Sequence, residues 1–157
     1  LLDAGRITRR EANERMLQRA RAVGRGFEVE GVLDDWMSML HPRRRMQTLV
    51  AQLKQRGYCV YYLSNIPEDV LDLLMHRAFE GLLDGGVASC EVKINKPDPR
   101  IYQALLDKYH LRADECIFID DRADNLVAAS ALGFGTYEMH GVGTLLRSLP
   151  TFGVSLH

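Results

Sequence analysis

From Pro42 onward, short apolar runs alternate with helix-patterned stretches, and this alternation constrains the fold more than any other feature of the chain. Met46, Leu49, Val50 and Leu53 recur at helical spacing up to Gly57, and an apolar run over 58–63 follows directly. The pattern then predicts a helix over 67–80, a strand over 87–92, a helix over 99–110, a strand over 116–119, a helix over 125–132 closed by Gly133, and a strand over 136–139. Strand-length runs alternating with 3.6-periodic segments predict an α/β fold: a Rossmann-like parallel sheet with helices on both faces.

Residues 1–40 read as helical throughout. Thr8 and Glu11 have the spacing of a capping box, in which a hydroxyl and a carboxylate satisfy orphan amides reciprocally. Ala12, Met16, Ala20 and Val23 then lie on one helix face. A second face, Val32, Leu33, Trp36, Met37 and Leu40, stops at His41-Pro42. Trp36, Met37 and Met39 are expected to pack on that face.

Charge argues about partners. Twenty basic against twenty-one acidic side chains give a net charge of −1, and no apolar run is long enough to span a membrane. Residues 1–56 hold 12 basic and 7 acidic groups, residues 57–157 hold 8 and 14. The arginines are spaced along helical segments without interleaved aromatics, so a solvated face is expected and nucleic acid is not a predicted partner. The acidic second half suits a cation. Cys59, Cys90 and Cys116 form no C-x-x-C pair and are odd in number, which suits a reducing, cytoplasmic setting without a zinc site.

Three polar signals each follow an apolar strand: Ser64-Asn65, Lys96-Pro97 and Asp120-Asp121. Singly, each has a plainer explanation: the first and third as helix caps, Lys96 as a solvated loop residue. In a parallel sheet, however, the carboxyl ends of strands share one edge, where ligands bind and helix N-termini point. A hydroxyl, an amide, an ammonium and two carboxylates on that edge suit a phosphate beside a hard cation such as Mg²⁺, which takes one or two carboxylates and keeps waters. His76, His41 and His110 have no second ligand at metal spacing and are expected to be structural. Gly85-Gly86 is expected to be a turn.

The segments 61–65 (Tyr-Tyr-Leu-Ser-Asn), 96–102 (Lys-Pro-Asp-Pro-Arg-Ile-Tyr) and 117–125 (Ile-Phe-Ile-Asp-Asp-Arg-Ala-Asp-Asn) resemble, in order and spacing, motifs two, three and four of the haloacid dehalogenase-like (HAD) hydrolases. Residues 3–8 and the Trp36 segment resemble the helical cap of the subgroup containing bacterial sugar-phosphate (glucose-1-phosphate type) phosphatases. The resemblance covers about residues 1–140, with 1–40 as a partial cap and 41–157 as the α/β core. It implies a Mg²⁺-dependent phosphatase acting on a small phosphorylated metabolite. Ser64 would hold phosphoryl oxygens, Asn65 would support it, and Lys96 would neutralise phosphate and nucleophile. Asp121 would be the direct Mg²⁺ ligand, with Asp120 behind it and Asn125 ordering the loop.

The family's first motif, a central strand ending in Asp-x-Asp, supplies the nucleophile that becomes an aspartyl phosphate. No Asp-x-Asp occurs in these 157 residues, and Asp34-Asp35 falls in a helical pattern. The expectation is therefore a fragment lacking the strand between 58–63 and 116–119, with several tens of residues upstream of Leu1. It would be inactive alone. The alternatives are a non-catalytic pseudo-enzyme and a haloacid dehalogenase, which needs no metal. A phosphoacceptor receiver domain is a poorer fit, because there the acid pair comes first in the chain and Lys-Pro last. Neither substrate identity nor oligomeric state is legible.

Overall fold

The computed structural model describes residues 1–25, 44–73 and 79–156. The second predicted helix face with Trp36, Met37 and Met39, the pair Asp34-Asp35, and His41 and His76 lie outside the described residues.

The first seven residues are turns, which corrects the expectation of unbroken helix. Gly5 sits at φ +57°, where a Cβ would be 2.5 Å from Lys93 Nζ and 3.0 Å from the Cys90 carbonyl, so this position requires glycine. Ser89 Oγ donates to the Asp3 carbonyl and accepts the Ile66 N–H at 2.9 Å, fastening the first residues to the core. Helix α1 (Arg9–Ala22) then starts on the expected capping box: Thr8 Oγ accepts the Glu11 N–H at 3.2 Å and the Glu11 carboxylate accepts the Thr8 N–H at 2.7 Å.

The rest alternates as the sequence predicts. Helix α2 (Arg44–Gln55) leads to β1 (Tyr61–Ser64), α3 (Glu68–Leu73), β2 (Gly85–Ala88), the short α4 (Ser89–Val92) and α5 (Pro99–Tyr109). A 3₁₀ turn (Ala113–Glu115) precedes β3 (Ile117–Asp120), α6 (Ala123–Ala131), β4 (Gly135–Glu138), α7 (Val142–Ser148) and a final 3₁₀ turn (Leu149–Phe152). Among the described residues no helix is long and apolar enough to cross a membrane.

The strands differ from expectation in three places, the first being that residues 89–92, expected as the end of the 87–92 strand, form helix α4, started by the Ala88 N–H donating to the Glu91 carboxylate at 2.7 Å. β1 begins at Tyr61 rather than 58, because residues 58–60 serve the turn: Tyr58 N–H bonds the Leu53 carbonyl, and Val60 exchanges bonds with Asp84. Gly85-Gly86 opens β2 instead of forming a turn. Gly85, at φ +138°, leaves room for the Tyr109 hydroxyl, which accepts the Gly86 N–H at 2.8 Å.

All strand pairing is parallel, with Leu63 opposite Val87 and Phe118 opposite Thr136. The described strands form two two-stranded sheets, β1-β2 and β3-β4, and not one continuous sheet. The period of two sends Tyr61 and Leu63 into one apolar cluster and Tyr62 into another, so both faces of β1 are covered. The larger cluster joins Val87 of β2 to Phe118 of β3 through Ile101, Tyr102, Leu105 and Leu106 of α5, all under 9% exposed. Helix α5 is thus the apolar link between the two sheets. On the other side, Leu49 of α2 packs with Leu145, Leu149, Tyr137 and Met139.

Gly85→Ala would drive a Cβ to 2.3 Å from the Tyr109 hydroxyl. It is expected to destabilise the protein by about 1–3 kcal/mol, the usual cost of overpacking, read as a lower urea midpoint. Asp84 accepts from Lys54 at 2.7 Å and from Val60 N–H at 2.8 Å, and these bonds hold its carboxyl below the usual range. Its contribution to stability is therefore present above about pH 4 and lost as pH falls through the lowered value. Unfolding of Asp84→Asn followed between pH 7 and 3 is expected to show a smaller acid loss than the wild type.

Candidate active site

The three predicted strand ends converge on Lys96. The loop after α4 reaches Lys96, which is joined to Pro97 by a cis peptide bond, and Asp98 then starts α5. Asp98 caps that helix by accepting the Arg100 N–H at 3.0 Å, and Pro99 occupies the first helical position, where no N–H is needed. The Arg100 side chain, paired with the Asp98 carboxyl, brings that group down to about 2, so the cap stays ionised.

Lys96 is held from both sides. Its backbone N–H donates to Asn65 Oδ1 at 2.7 Å, and its carbonyl accepts from Asn65 Nδ2 at 2.9 Å. The ammonium donates to the Leu63 carbonyl of β1 at 2.8 Å and to Asp120 Oδ2 of β3 at 2.6 Å. It also lies 5.2 Å from the centre of the Phe118 ring. Both members of the ion pair are deeply covered, with side chains 9% and 7% exposed. Lys96 therefore bridges the carboxyl ends of the two sheets.

Both oxygens of Asp120 are engaged. Oδ2 accepts from Lys96; Oδ1 accepts the Arg122 N–H and Asn125 Nδ2, each at 2.9 Å. Burial pushes the Asp120 carboxyl up, but the bonds from Lys96, Asn125 and Arg122 outweigh it, so the group sits below the usual carboxylate range. Asp121 is exposed, and among the described residues its carboxylate has no hydrogen-bond or ion-pair partner. It lines an open cleft of about 400 Å³ with Met46, Ile119, Asp120, Met139, His140 and Gly141. Ser64 closes β1, half-buried, with its hydroxyl unpartnered among the described residues.

Ser64, Asn65, Asp120 and Asp121 thus lie at the ends of β1 and β3 as expected, whereas Lys96 does not follow a strand: it stands in the loop after α4 and only its side chain reaches the strand ends. Ser64, Asn65, Lys96 and Asp120 are connected along the chain or through Lys96, while Asp121 faces the cleft, of which Ser64 and Lys96 are not part. The Asn65 amide goes to the Lys96 peptide, a contact that sequence spacing did not indicate. The Leu63 carbonyl was also missed, since a backbone acceptor leaves no trace in residue identity. The donor set fits a hard divalent cation through one free carboxylate, Asp121, with Asp120 fixed behind it by three hydrogen bonds. Among the described residues no three or more His, Cys, Asp or Glu side chains cluster. Lys96 counts +1 and the two aspartates −2, so a phosphate approaching this edge meets net negative charge unless a cation joins it.

Comparison with known proteins places this arrangement. The family described as haloacid dehalogenase-like hydrolase matches residues 4–133. The chain is 35% identical over 109 residues to a sesquiterpene phosphatase, astK, of Aspergillus oryzae, covering 69% of this chain and 56% of the relative. It is 33% identical over 93 residues to (S)-2-haloacid dehalogenase 4A of Burkholderia cepacia, covering 59% and 40%. The chain therefore spans about half the length of these relatives. A HAD family enzyme from Bacteroides thetaiotaomicron, solved with magnesium and inorganic phosphate, superposes with a TM-score of 0.71 at 26% identity over 87% of this chain and 71% of that one.

Removing either member of the Lys96–Asp120 pair strands a buried charge, which costs about 3–5 kcal/mol. Lys96→Met and Asp120→Asn are each expected to lower the urea midpoint strongly. The double variant Lys96→Met/Asp120→Asn is expected to be less destabilised than the sum of the singles. Additive losses would show that the two groups do not act as a pair.

Proposed function

The chain belongs to the haloacid dehalogenase-like hydrolases, and from that premise we propose that its strand-end site serves a Mg²⁺-dependent phosphomonoesterase acting on a small phosphorylated metabolite. One observation carries the reading: a buried ammonium at the strand ends, paired to Asp120, with the free carboxylate of Asp121 next to it. A dehalogenase has no use for a second, unpartnered aspartate here. A phosphatase does, because Asp121 would hold the cation. Likeness to a sesquiterpene phosphatase and to a magnesium and phosphate complex supports the same choice. Likeness to a haloacid dehalogenase is what keeps dehalogenation as the second reading.

The residues divide the work as follows. Ser64 Oγ, free at the end of β1, would donate to a phosphoryl oxygen. Lys96 would lower the repulsion between phosphate and an approaching carboxylate, which is about 4 kcal/mol per unit pair at ~4 Å with an effective dielectric of 20. Asn65 fixes the Lys96 backbone, and Asn125 fixes Asp120. Bound Mg²⁺ would neutralise phosphoryl charge as a Lewis acid.

The nucleophile is proposed to be an aspartate at the end of a strand seated between β1 and β3 and outside these 157 residues. Two facts support this: no Asp-x-Asp occurs in the sequence, and among the described residues neither β1 nor β3 pairs with a strand on its second edge. In the same reading, residues 1–40 form part of a substrate-covering cap, and a cytoplasmic setting suits the substrate class.

The test is hydrolysis of p-nitrophenyl phosphate with and without Mg²⁺. The 157-residue chain is expected to give no turnover, and a longer chain carrying the upstream strand is expected to be active. In the longer chain Lys96→Ala and Asp121→Asn should each lower kcat by about 10²-fold or more, the usual loss for one transition-state charge contact. Turnover by the 157 residues alone would refute the external nucleophile. Metal-independent release of halide from a 2-haloacid would instead favour the dehalogenase.

A further inference from the structure

We propose that Tyr102, buried in the core away from the strand-end edge, is a positioning residue for Asp120, acting through the backbone of Asn125. This rests on the phosphatase reading for its consequence but not for its geometry.

Tyr102 is fully buried in α5, one turn after the Lys96 loop. Its ring is fixed edge-on against Phe118 at 5.3 Å and Phe134 at 6.2 Å between centres. The hydroxyl reaches across to α6 and donates to the Asn125 carbonyl at 2.9 Å. Burial pushes the Tyr102 phenol well above its usual value, so the group stays a donor through the physiological range.

Asn125 is 2% exposed, and Nδ2 donates to Asp120 Oδ1 at 2.9 Å. Its other side-chain atom, Oδ1, is buried and has no hydrogen-bond partner. An amide anchored at one end only has its orientation set by the backbone that carries it. Tyr102 grips that backbone.

The series Tyr102–Asn125–Asp120–Lys96 therefore runs through hydrogen bonds of 2.9, 2.9 and 2.6 Å from the interior to the ammonium. It links α5, which follows the Lys96 loop, to α6, which follows the acid pair. A purely apolar core needs only a phenyl ring here. The hydroxyl adds nothing to the packing against Phe118 and Phe134, but it locks the two site-bearing helices in one register.

Tyr102→Phe keeps the ring and removes the donor; Phe134→Leu loosens the packing and leaves the hydroxyl. The first readout is the Asn125 side-chain amide signal of the 157-residue chain in ¹⁵N NMR, with its hydrogen exchange. Tyr102→Phe is expected to shift that signal and speed its exchange while the strand amides keep theirs. Phe134→Leu is expected to speed strand exchange as well. The second readout is phosphatase kinetics of the longer, active chain. Tyr102→Phe should lower kcat about fivefold with KM unchanged, the rate equivalent of one neutral hydrogen bond. An Asn125 amide indistinguishable from wild type in Tyr102→Phe overturns the positioning role. Altered NMR with unchanged kcat overturns its link to the reaction. Absence of any phosphatase activity in the wild-type longer chain would refute the proposed function, and the NMR comparison would still decide the geometry.

Discussion

A single ion pair, Lys96 with Asp120, connects two parallel strand pairs that share no backbone hydrogen bonds among the described residues. Charges this deeply covered are costly to desolvate, and they persist only where further hydrogen bonds complete their coordination. Here the completion is thorough. The ammonium also bonds the Leu63 carbonyl, and the carboxylate also accepts from Asn125 and the Arg122 N–H. A hydrophobic replacement would hold the sheets together as well or better, since α5 already joins them through Ile101, Tyr102 and Leu105. The pair is therefore not needed for cohesion between the sheets.

The surrounding fold places that charge accurately with little sequence. Ser64, Asn65, Asp120 and Asp121 sit at or next to the carboxyl ends of β1 and β3 and Asn125 on the first turn of α6, where rigid backbone on one side limits their freedom, while Lys96 reaches them from the loop between α4 and α5. Asn65 clamps the Lys96 peptide at both its N–H and its carbonyl, so the loop before α5 is tied to the loop after β1. Asp120 and Asp121, adjacent in sequence, have different surroundings because Asp120 is the last residue of β3 and Asp121 lies in the bend that follows it. One is fully engaged inside, and the other is free at the cleft.

Much of this was legible in the sequence. Alternation, the Thr8–Glu11 box, the helix start at Pro99 and the polar ends of β1 and β3 depend on local pattern and fall where spacing placed them, whereas the strand expected over 87–92 turns into α4 and leaves Lys96 in a loop. What escaped depended on partners distant in the chain. Gly85-Gly86 reads as a turn until Tyr109, over twenty residues away, is seen to occupy the space where a side chain would stand. Residues 1–7 read as helix until Gly5 and Ser89 tie them to α4 in a turn. Tyr102 is in the sequence only the last residue of the 96–102 segment, and its bond to the Asn125 carbonyl, more than twenty residues on, appears only in the fold.

The edges of the strands carry the last step. A strand edge left open is a liability that proteins cover with side chains, helices or charge. At β2 this has been done: the Gly86 N–H bonds the Tyr109 hydroxyl, and its carbonyl accepts from Lys108 Nζ at 3.0 Å and from Tyr109 at 3.1 Å. No comparable side-chain cover caps the backbone of β1 or β3 on the side away from its partner among the described residues; only the Leu63 carbonyl is taken, by Lys96. The outer edge of β2 is thus closed by a tyrosine and a lysine, while among the described residues the gap between the sheets is met by one ammonium, and it is there that the proposed reading seats its further strand. An added strand running parallel to both neighbours would end beside Lys96, so a carboxylate at its tip would meet the charge already waiting there.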